Sequence, residues 1–266
     1  IRFIRDNASV FSRDALDIGR TNLIPHRIDT GDHKPFRQPL RRHPRTHEQY
    51  IDDTVNELLS HDVIEPAASP WASNVVLVKK ADGSLRFCVE NRQLNELTYK
   101  DSYPLPRISS CLDALGGSSY FSTLDLRSGF WQTAMDPRDA DKTAFITRRG
   151  QFCFKVLSFG LANAPSLFQR IMDLVLAGLS WECCLVYVDD IIVFAKTFDE
   201  HVVRLTQVFN RLRDAGLKLK PDKCKLFQRR VAFLGHIVSG RGIEADLEKV
   251  ATIIDWPVQK DVGEVC

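Results

Sequence analysis

The feature that most constrains the fold is an apolar run containing two adjacent carboxylates. From Cys183 to Ala195 the sequence is apolar apart from Asp189 and Asp190. The two halves have the length and β-branched content of strands, which predicts a hairpin with both aspartates at its turn. Because both faces of each half are apolar, we expect the hairpin inside a sheet rather than at an edge. Two-residue hairpin turns favour Asn-Gly or Asp-Gly, so Asp-Asp is unusual for an ordinary solvent-exposed turn.

A third carboxylate, Asp125, interrupts a strand-like segment from Tyr120 to Leu126. An aspartate among apolar neighbours is costly unless it is paired or binds a metal ion. Three carboxylates brought together would repel by about 4 kcal/mol per pair at 4 Å and an effective dielectric near 20. A divalent cation would remove that cost, and hard oxygen ligands favour Mg²⁺ over Zn²⁺.

The rest of the chain mixes helical and strand-like patterns without regular β-α-β alternation, which predicts an α+β fold class. Short apolar runs on either side of 81–84 and of Arg149-Gly150 predict two further hairpins. Val231 to Val238 reads as one strand around Gly235. Helical spacing predicts helices over about 47–60, from Pro165 onward, and over 201–212.

Two local signals refine these predictions near the N-terminus. Thr46 and Gln49 match a capping box that would begin the helix over 47–60. Residues 1–45 are polar, basic and interrupted by proline, which fits either a solvated extended arm or a phosphate-contacting strand.

The composition is ordinary for a globular chain. It indicates the cellular compartment but does not indicate the function. The chain has 36 Lys+Arg and 34 Asp+Glu. The resulting net charge of +2 neither indicates nor excludes a nucleic-acid partner. Seven scattered cysteines without a C-x-x-C pair indicate reduced thiols in an intracellular protein. The apolar run around the two aspartates is too short and too interrupted to cross a bilayer, so we expect no membrane association.

Several short segments of the sequence, including the two adjacent aspartates, resemble the motifs of a known polymerase family. Tyr187-Val188-Asp189-Asp190 resembles the Y-x-D-D box of reverse transcriptases, and further segments resemble the polymerase of gypsy-type LTR retrotransposons (Metaviridae) in that family's order. These segments are 69–73, 75–80, 124–130, 142–145, 159–165, 168–170, 215–219, 223–224, 233–236 and 256–257. The resemblance implies an RNA-directed DNA polymerase that forms part of a Pol polyprotein.

The resemblance also implies a right-hand polymerase fold with fingers and palm. Fingers would comprise 1–99, including the N-terminal arm, and 133–163. The palm would comprise 100–132 and 164–242, and 243–266 would begin the thumb or connection, where we expect the fold to be truncated.

The implied catalytic centre combines the three aspartates. Asp125, Asp189 and Asp190 would be catalytic and, with the backbone carbonyl of Leu126, would hold two Mg²⁺ ions, for which Mn²⁺ could substitute. Leu234-Gly235 would form part of the primer grip.

The implied nucleotide-binding residues are Lys79, Arg86, Phe130, Phe159, Gly160 and Lys223. Lys79 and Arg86 would hold the triphosphate, since Lys and Arg suit phosphate oxygens. Phe130 would exclude a 2′-hydroxyl, or would simply pack in the core. Lys223 is the candidate general acid for the departing pyrophosphate.

The resemblance also implies partners and a location. Partners would be an RNA or DNA template with its primer, deoxynucleoside triphosphates, and protease, ribonuclease H and integrase parts of Pol that we expect to be absent from this chain. The location would be the cytoplasmic virus-like particle of a retroelement.

Two residues depart from the family pattern. Asn91 stands where the family usually has Tyr, and Ser158 where it usually has Pro. A catalytically silent nucleic-acid-binding fragment is the alternative function.

Overall fold

A computed structural model describes residues 2–14, 17–80 and 82–245. Its helices are α1 (Arg2–Asp6), α2 (Arg45–Ser60), α3 (Arg92–Leu97), α4 (Ile108–Ala114), α5 (Ala164–Val175) and α6 (Phe198–Asp214). Among the described helices, α2, α5 and α6 have 16, 12 and 17 residues, and the others have 5 to 7. Single 3₁₀ turns occupy Ala8–Val10, Gly129–Gln132, Ala140–Thr143 and Pro221–Lys223. The α+β class predicted from the sequence is confirmed.

The described strands form four sheets. The strands are β1 (Thr21–His26), β2 (Ile64–Pro66), β3 (Ser73–Lys79), β4 (Leu85–Val89), β5 (Tyr120–Asp125), β6 (Thr133–Met135), β7 (Phe145–Thr147), β8 (Gly150–Phe154), β9 (Cys184–Tyr187), β10 (Asp190–Ala195), β11 (Lys225–Gln228), β12 (Arg230–Phe233), β13 (His236–Ser239) and β14 (Gly242–Ala245). The sheet orders are β1-β6, β11-β5-β10-β9, β12-β13-β14 and β2-β8-β7-β3-β4.

The central sheet, β11-β5-β10-β9, carries the aspartates and is covered on both faces. One face packs on α5 and α6 through a cluster that includes Leu124, Ile191 and Phe168. The opposite face packs on α4 and on β12–β13 through a cluster that includes Phe121 and Ile192. The predicted hairpin over β9 and β10 is confirmed, but its expected position away from a sheet edge is wrong. Among the described strands, β9 pairs only with β10, and its apolar residues are buried by the packing layers instead.

The five-stranded sheet joins two distant parts of the chain. Strands β2–β4 come from 64–89 and pair with β7–β8 from 145–154, so both predicted hairpins are confirmed. Helix α2 covers this sheet with Ile51, Val55 and Leu58. This packing ties the first hundred residues to the segment that follows β6.

The segment from Val231 to Val238 is two strands rather than the single strand predicted. Phe233 pairs with His236 across a two-residue turn. Both turn residues, Leu234 and Gly235, have positive φ, at 47° and 79°. This backbone matches the primed turns that join antiparallel strands tightly.

Three further predictions need correction or limitation. Helix α2 begins at Arg45 after Pro44, and no side chain caps it, so the capping box of Thr46 and Gln49 is not formed. The N-terminal arm is not simply extended, because it contains α1 and β1. The expected palm boundary after residue 242 falls inside β14, and 246–266 lie outside the described residues. No helix in the described ranges is long and apolar enough to cross a membrane.

Candidate active site

Two of the three aspartates are direct neighbours across the central sheet. Asp125 ends β5, Asp190 begins β10, and the two residues are cross-strand partners in an antiparallel pair. Because paired residues project from the same face, both carboxylates lie on the side of the β12–β13 hairpin. Asp190 also pairs with Tyr187, so the turn residues are Val188 and Asp189 rather than the two aspartates predicted.

The turn is held by a buried glutamine from α5. Val188 has a φ of 54°, which is unfavourable for a β-branched residue and needs support from its surroundings. The backbone N–H of Val188 donates to Gln169 Oε1 at 2.8 Å. Gln169 Nε2 in turn donates to the carbonyl of Val186 at 3.3 Å and to Asp173 Oδ1 at 3.0 Å. Gln169 thereby fixes both sides of the turn that carries Asp189.

Asp189 lies in a tight space beside a second 3₁₀ turn. Its Oδ1 is buried and has no hydrogen-bond partner within the described part of the chain. A Cβ placed on Gly129 would lie 3.3 Å from that oxygen and 3.2 Å from Phe168 Cζ, so glycine permits this approach. Burial, followed by the charges of Asp190 and Asp125, raises the pKa of Asp189 to about 6, while Lys223 acts in the opposite direction.

Asp125 is anchored by the segment that precedes β11. Lys223 Nζ donates to Asp125 Oδ2 at 3.1 Å, and the backbone N–H of Lys220 donates to the Asp125 carbonyl at 2.8 Å. The next residue, Leu126, is buried and forms a β-bridge with Leu219. The 217–223 segment therefore positions both Asp125 and Leu126.

A cleft of about 430 Å³ opens over the paired aspartates. It is lined by Asp125 and Asp190 on its sheet side and by Lys223 at its flank. Leu234 and Gly235, the turn of the β12–β13 hairpin, line it as well. The fold thus brings the two residues predicted for the primer grip to the same cleft as the carboxylates.

The residues predicted to bind the nucleotide lie in separate places. Lys223 lines the aspartate cleft, whereas Arg86, Phe159 and Gly160 line a second cavity of about 290 Å³. Phe130 is 9% exposed and packs at ring-centroid distances of 5.3 Å from Phe159 and 5.4 Å from Phe168. The Arg86 guanidinium lies 5.7 Å from the Phe159 ring centroid, and Gly160 follows in the same loop. Lys79 is exposed at the end of β3 and lines neither the cleft nor this second cavity.

Two asparagines hold the loop of Phe159 and Gly160. Asn91, which stands where the resembled family usually has Tyr, is buried and donates to the Phe159 carbonyl at 3.3 Å. Asn95 Nδ2 donates to the Gly160 carbonyl at 2.8 Å, and its Oδ1 accepts from the N–H of Ala162 at 2.8 Å.

The chemistry of these groups fits a divalent cation, although their positions do not form a finished metal site. Across 2–14, 17–80 and 82–245, no three His, Cys, Asp or Glu side chains converge closely enough to hold a metal ion. Asp125 is instead engaged with Lys223. The donors are nonetheless carboxylates, which are hard ligands suited to Mg²⁺. Asp189 Oδ1 is buried beside two further negative charges and has no hydrogen-bond partner in the described ranges, so a cation would satisfy it.

Sequence reasoning missed the roles of Gln169 and Gly129. Gln169 is 1% exposed on the apolar face of α5, between Phe168 and Ile171. A polar residue on an otherwise apolar helix face was the available signal, because a buried amide must find partners. No comparable signal marks Gly129, whose importance depends on the approach of a side chain 60 residues later.

Comparisons with known proteins identify relatives of this chain. Residues 78–238 match the family model described as reverse transcriptase (RNA-dependent DNA polymerase). The chain is 40% identical over 250 residues to the retrovirus-related Pol polyprotein from transposon 297 of Drosophila melanogaster, covering 92% of the chain and 24% of that protein. It is 37% identical over 214 residues to the Pol polyprotein from transposon gypsy of the same organism, covering 78% of the chain and 21% of that protein.

Solved structures give the same assignment. The foamy viral protease-reverse transcriptase in complex with an RNA/DNA hybrid aligns with a TM-score of 0.89 and 25% identity, over 99% of this chain and 36% of that one. The chain spans less than a quarter of the two transposon polyproteins. The resemblance to gypsy-type elements and the right-hand polymerase fold are confirmed, and the chain belongs to the reverse transcriptase (RNA-dependent DNA polymerase) family.

Proposed function

We propose that this chain is an RNA-directed DNA polymerase that adds deoxynucleotides to a primer 3′-hydroxyl by two-metal phosphoryl transfer. The observation that carries the proposal is the cross-strand pairing of Asp125 with Asp190, with Asp189 in the turn beside them. Paired carboxylates at the ends of two adjacent strands, in a cleft of about 430 Å³, suit a reaction that needs cations and access for a polymer.

In this proposal, Asp125, Asp189, Asp190 and the Leu126 carbonyl hold two Mg²⁺ ions, with Mn²⁺ able to replace them. When bound, such ions lower the pKa of the attacking hydroxyl and neutralise charge on the departing pyrophosphate. The protein's own contribution is to orient the ligands. Gln169 fixes the turn of Asp189, and the N–H of Lys220 fixes the Asp125 backbone beside Leu126.

The nucleotide would lie between the Arg86 strand and the loop of Phe159 and Gly160. Arg86 and Lys79 would contact the triphosphate, and Lys223 would donate a proton to the pyrophosphate. Phe130 would press against the sugar and exclude a 2′-hydroxyl. Its position between Phe159 and Phe168 supports a rigid wall at that point.

The template–primer would lie across the central sheet, with the primer held at the turn of Leu234 and Gly235. Fingers comprising 1–99 and 133–163 would face a palm comprising 100–132 and 164–242. The five-stranded sheet supports this division, because it joins β2–β4 to β7–β8 across the intervening palm segment. Residues 243–266 would begin the thumb.

The partners follow from the relatives. The foamy viral enzyme is described in complex with an RNA/DNA hybrid, and the transposon relatives are Pol polyproteins. We propose that this chain likewise binds an RNA or DNA template with its primer, uses deoxynucleoside triphosphates, and works beside protease, ribonuclease H and integrase in a cytoplasmic particle without membrane contact.

Primer extension tests this function. The purified chain is mixed with Mg²⁺, an RNA template annealed to a labelled DNA primer, and deoxynucleotides, and binding is measured in parallel by fluorescence anisotropy. Extension that requires the metal supports the proposal. Tight binding without any extension contradicts it and identifies a silent nucleic-acid-binding fragment.

A further inference from the structure

A series of polar contacts leads from the turn of Asp189 through α5 to the segment 101–103. Gln169 holds that turn, and its Nε2 donates to Asp173 Oδ1 at 3.0 Å, one helical turn further along α5. The other carboxylate oxygen of Asp173 accepts from the Tyr103 hydroxyl at 2.7 Å. Tyr103 is therefore linked, through one carboxylate, to the side chain that fixes the backbone before Asp189.

Asp173 determines which way round the Gln169 amide lies. A side-chain amide has a donating and an accepting end, and the turn needs the accepting end at the Val188 N–H. A carboxylate only accepts, so Asp173 attracts the nitrogen end and leaves the oxygen end for Val188. The Val186 carbonyl favours the same orientation at a longer distance, 3.3 Å against 3.0 Å for Asp173. Because hydrogen bonds to ionised groups are about twice as strong as neutral ones, Asp173 is the stronger anchor.

Tyr103 restrains Asp173 and is itself held on two sides. The Arg170 guanidinium lies 4.8 Å from the Tyr103 ring centroid, and Arg170 Nη2 donates to both carboxylate oxygens of Asp101, at 3.0 and 2.9 Å. Asp101 Oδ1 also accepts from the backbone N–H of Tyr103 at 3.0 Å. The hydrogen bond to Asp173 raises the pKa of the Tyr103 hydroxyl, which therefore remains a donor at neutral pH. Asp173, which is partly exposed, is thereby kept from turning away from Gln169 into solvent.

We propose that Asp173 and Tyr103 are positioning residues for the turn of Asp189, with Tyr103 holding Asp173 and Asp173 holding the Gln169 amide. Both act through Gln169, so removing either contact loosens the Val188 N–H and displaces Asp189. The effect on reaction rate rests on the proposed function, whereas the effect on the turn does not.

Amide hydrogen exchange on the full chain labelled with ¹⁵N tests the effect on the turn without any turnover. Exchange of the Val188 N–H should be at least tenfold faster in Asp173→Ala and at least threefold faster in Tyr103→Phe than in wild type. The N–H of Phe194, which donates to the Cys183 carbonyl at 3.0 Å at the open end of the same hairpin, should exchange at the wild-type rate. Unchanged exchange at Val188, or equal acceleration at Val188 and Phe194, would overturn the proposal.

Two matched variants separate the contact from the charge and from the loss of a hydroxyl. Asp173→Asn removes the charge but keeps an oxygen that accepts from Gln169 and gains a nitrogen that donates to Tyr103, so Val188 exchange should stay within threefold of wild type. Tyr99→Phe removes the hydroxyl of a tyrosine that is 66% exposed and should have no effect. Val188 exchange in Asp173→Asn as fast as in Asp173→Ala would overturn the proposal, because only the charge of Asp173 would then matter.

Single-nucleotide insertion tests whether the two residues act through Gln169. Tyr103→Phe should lower the maximal insertion rate at least threefold and leave the KM for deoxynucleotide unchanged. In a Gln169→Met background the same substitution should have no further effect, because substitutions that act through one side chain are not additive. An equal loss in both backgrounds, or a change in KM alone, would overturn the proposal. A chain that never extends primers would refute the proposed function, and the exchange measurement would then decide the effect on the turn.

Discussion

Gln169 accepts a hydrogen bond at 2.8 Å from the backbone N–H of Val188, the residue directly before Asp189. The contact joins α5 to the turn of the central hairpin, and the amide nitrogen of Gln169 secures Val186 on the other side. A catalytic carboxylate is only as well positioned as its backbone. In this chain that backbone has an unfavourable φ, which the glutamine offsets.

Replacing Gln169 with Met should slow nucleotide insertion by at least tenfold. Met has a similar length but leaves the partly buried Val188 N–H without its partner, which costs up to about 1–3 kcal/mol. Single-turnover insertion measures the rate, and anisotropy should show template–primer affinity within about twofold of wild type. Leu174→Ala, at a position 52% exposed on the same helix, should behave as wild type. A wild-type insertion rate in Gln169→Met would contradict the claim that Gln169 positions the turn of Asp189.

Gly129→Ala should lower the insertion rate because the new methyl group meets Asp189 Oδ1 at 3.3 Å and Phe168 at 3.2 Å. Neighbours must then shift by a few tenths of an ångström at the carboxylate. Gly116→Ala is the matched control, since its Cβ would also lie 3.2 Å from a neighbour, the carbonyl of Asp113. Equal insertion rates in the two variants would show that Asp189 is not sensitive to this contact.

The sequence was sufficient for the elements around the site because their patterns are local. The continuous apolar runs of β9 and β10, and the unusual presence of Asp125 in β5, can be interpreted from neighbouring residues alone. Family motifs added the roles. The predicted turn differs by one residue from the observed one, because Asp190 pairs with Tyr187. The contact that holds this turn comes from Gln169, which lies about 20 residues earlier in the chain.

Two other failures have the same kind of cause. Val231 to Val238 reads as one strand because Leu234 is not a typical residue for positive φ, yet the chain turns there. The edge position of β9 could not be read from its composition, since burial by covering layers gives the same apolar pattern as a central strand.

Phe130→Ala should relax sugar selection. The Phe130 ring is fixed between Phe159 and Phe168, and its removal opens space beside the proposed sugar position. The ratio of deoxynucleotide to ribonucleotide incorporation should fall at least tenfold, and a ratio taken within one variant is independent of its folded fraction. Phe130→Tyr keeps the ring and should keep the ratio. Unchanged selection in Phe130→Ala would assign this residue to core packing alone.

Stability should fall between pH 7 and pH 5 because of buried histidines. His201 is 0% exposed, its Nε2 lies 2.7 Å from Ser122 Oγ, and burial lowers its pKa from 6.5 to about 4. In the unfolded chain the His201 imidazole therefore binds a proton below about pH 6.5, whereas in the folded chain it does so only below about pH 4. Acidification consequently favours unfolding.

Urea unfolding at the two pH values measures this effect. At pH 5 the histidine should contribute a loss of about 2 kcal/mol in the free energy of unfolding, and His201→Gln should reduce the pH dependence by that order. His33→Gln, at an exposed position, should leave it unchanged. An identical pH dependence in wild type and His201→Gln would show that His201 is protonated within the fold.

The most direct measurement of the central claim is single-nucleotide insertion by Asp189→Asn with Mg²⁺, an RNA template and a DNA primer, alongside template–primer affinity. Asn keeps the shape of the side chain but loses the charge needed to hold a divalent cation. We predict at least a thousandfold loss of insertion rate with affinity within about threefold of wild type. Insertion near the wild-type rate in Asp189→Asn would contradict a catalytic centre built from these aspartates.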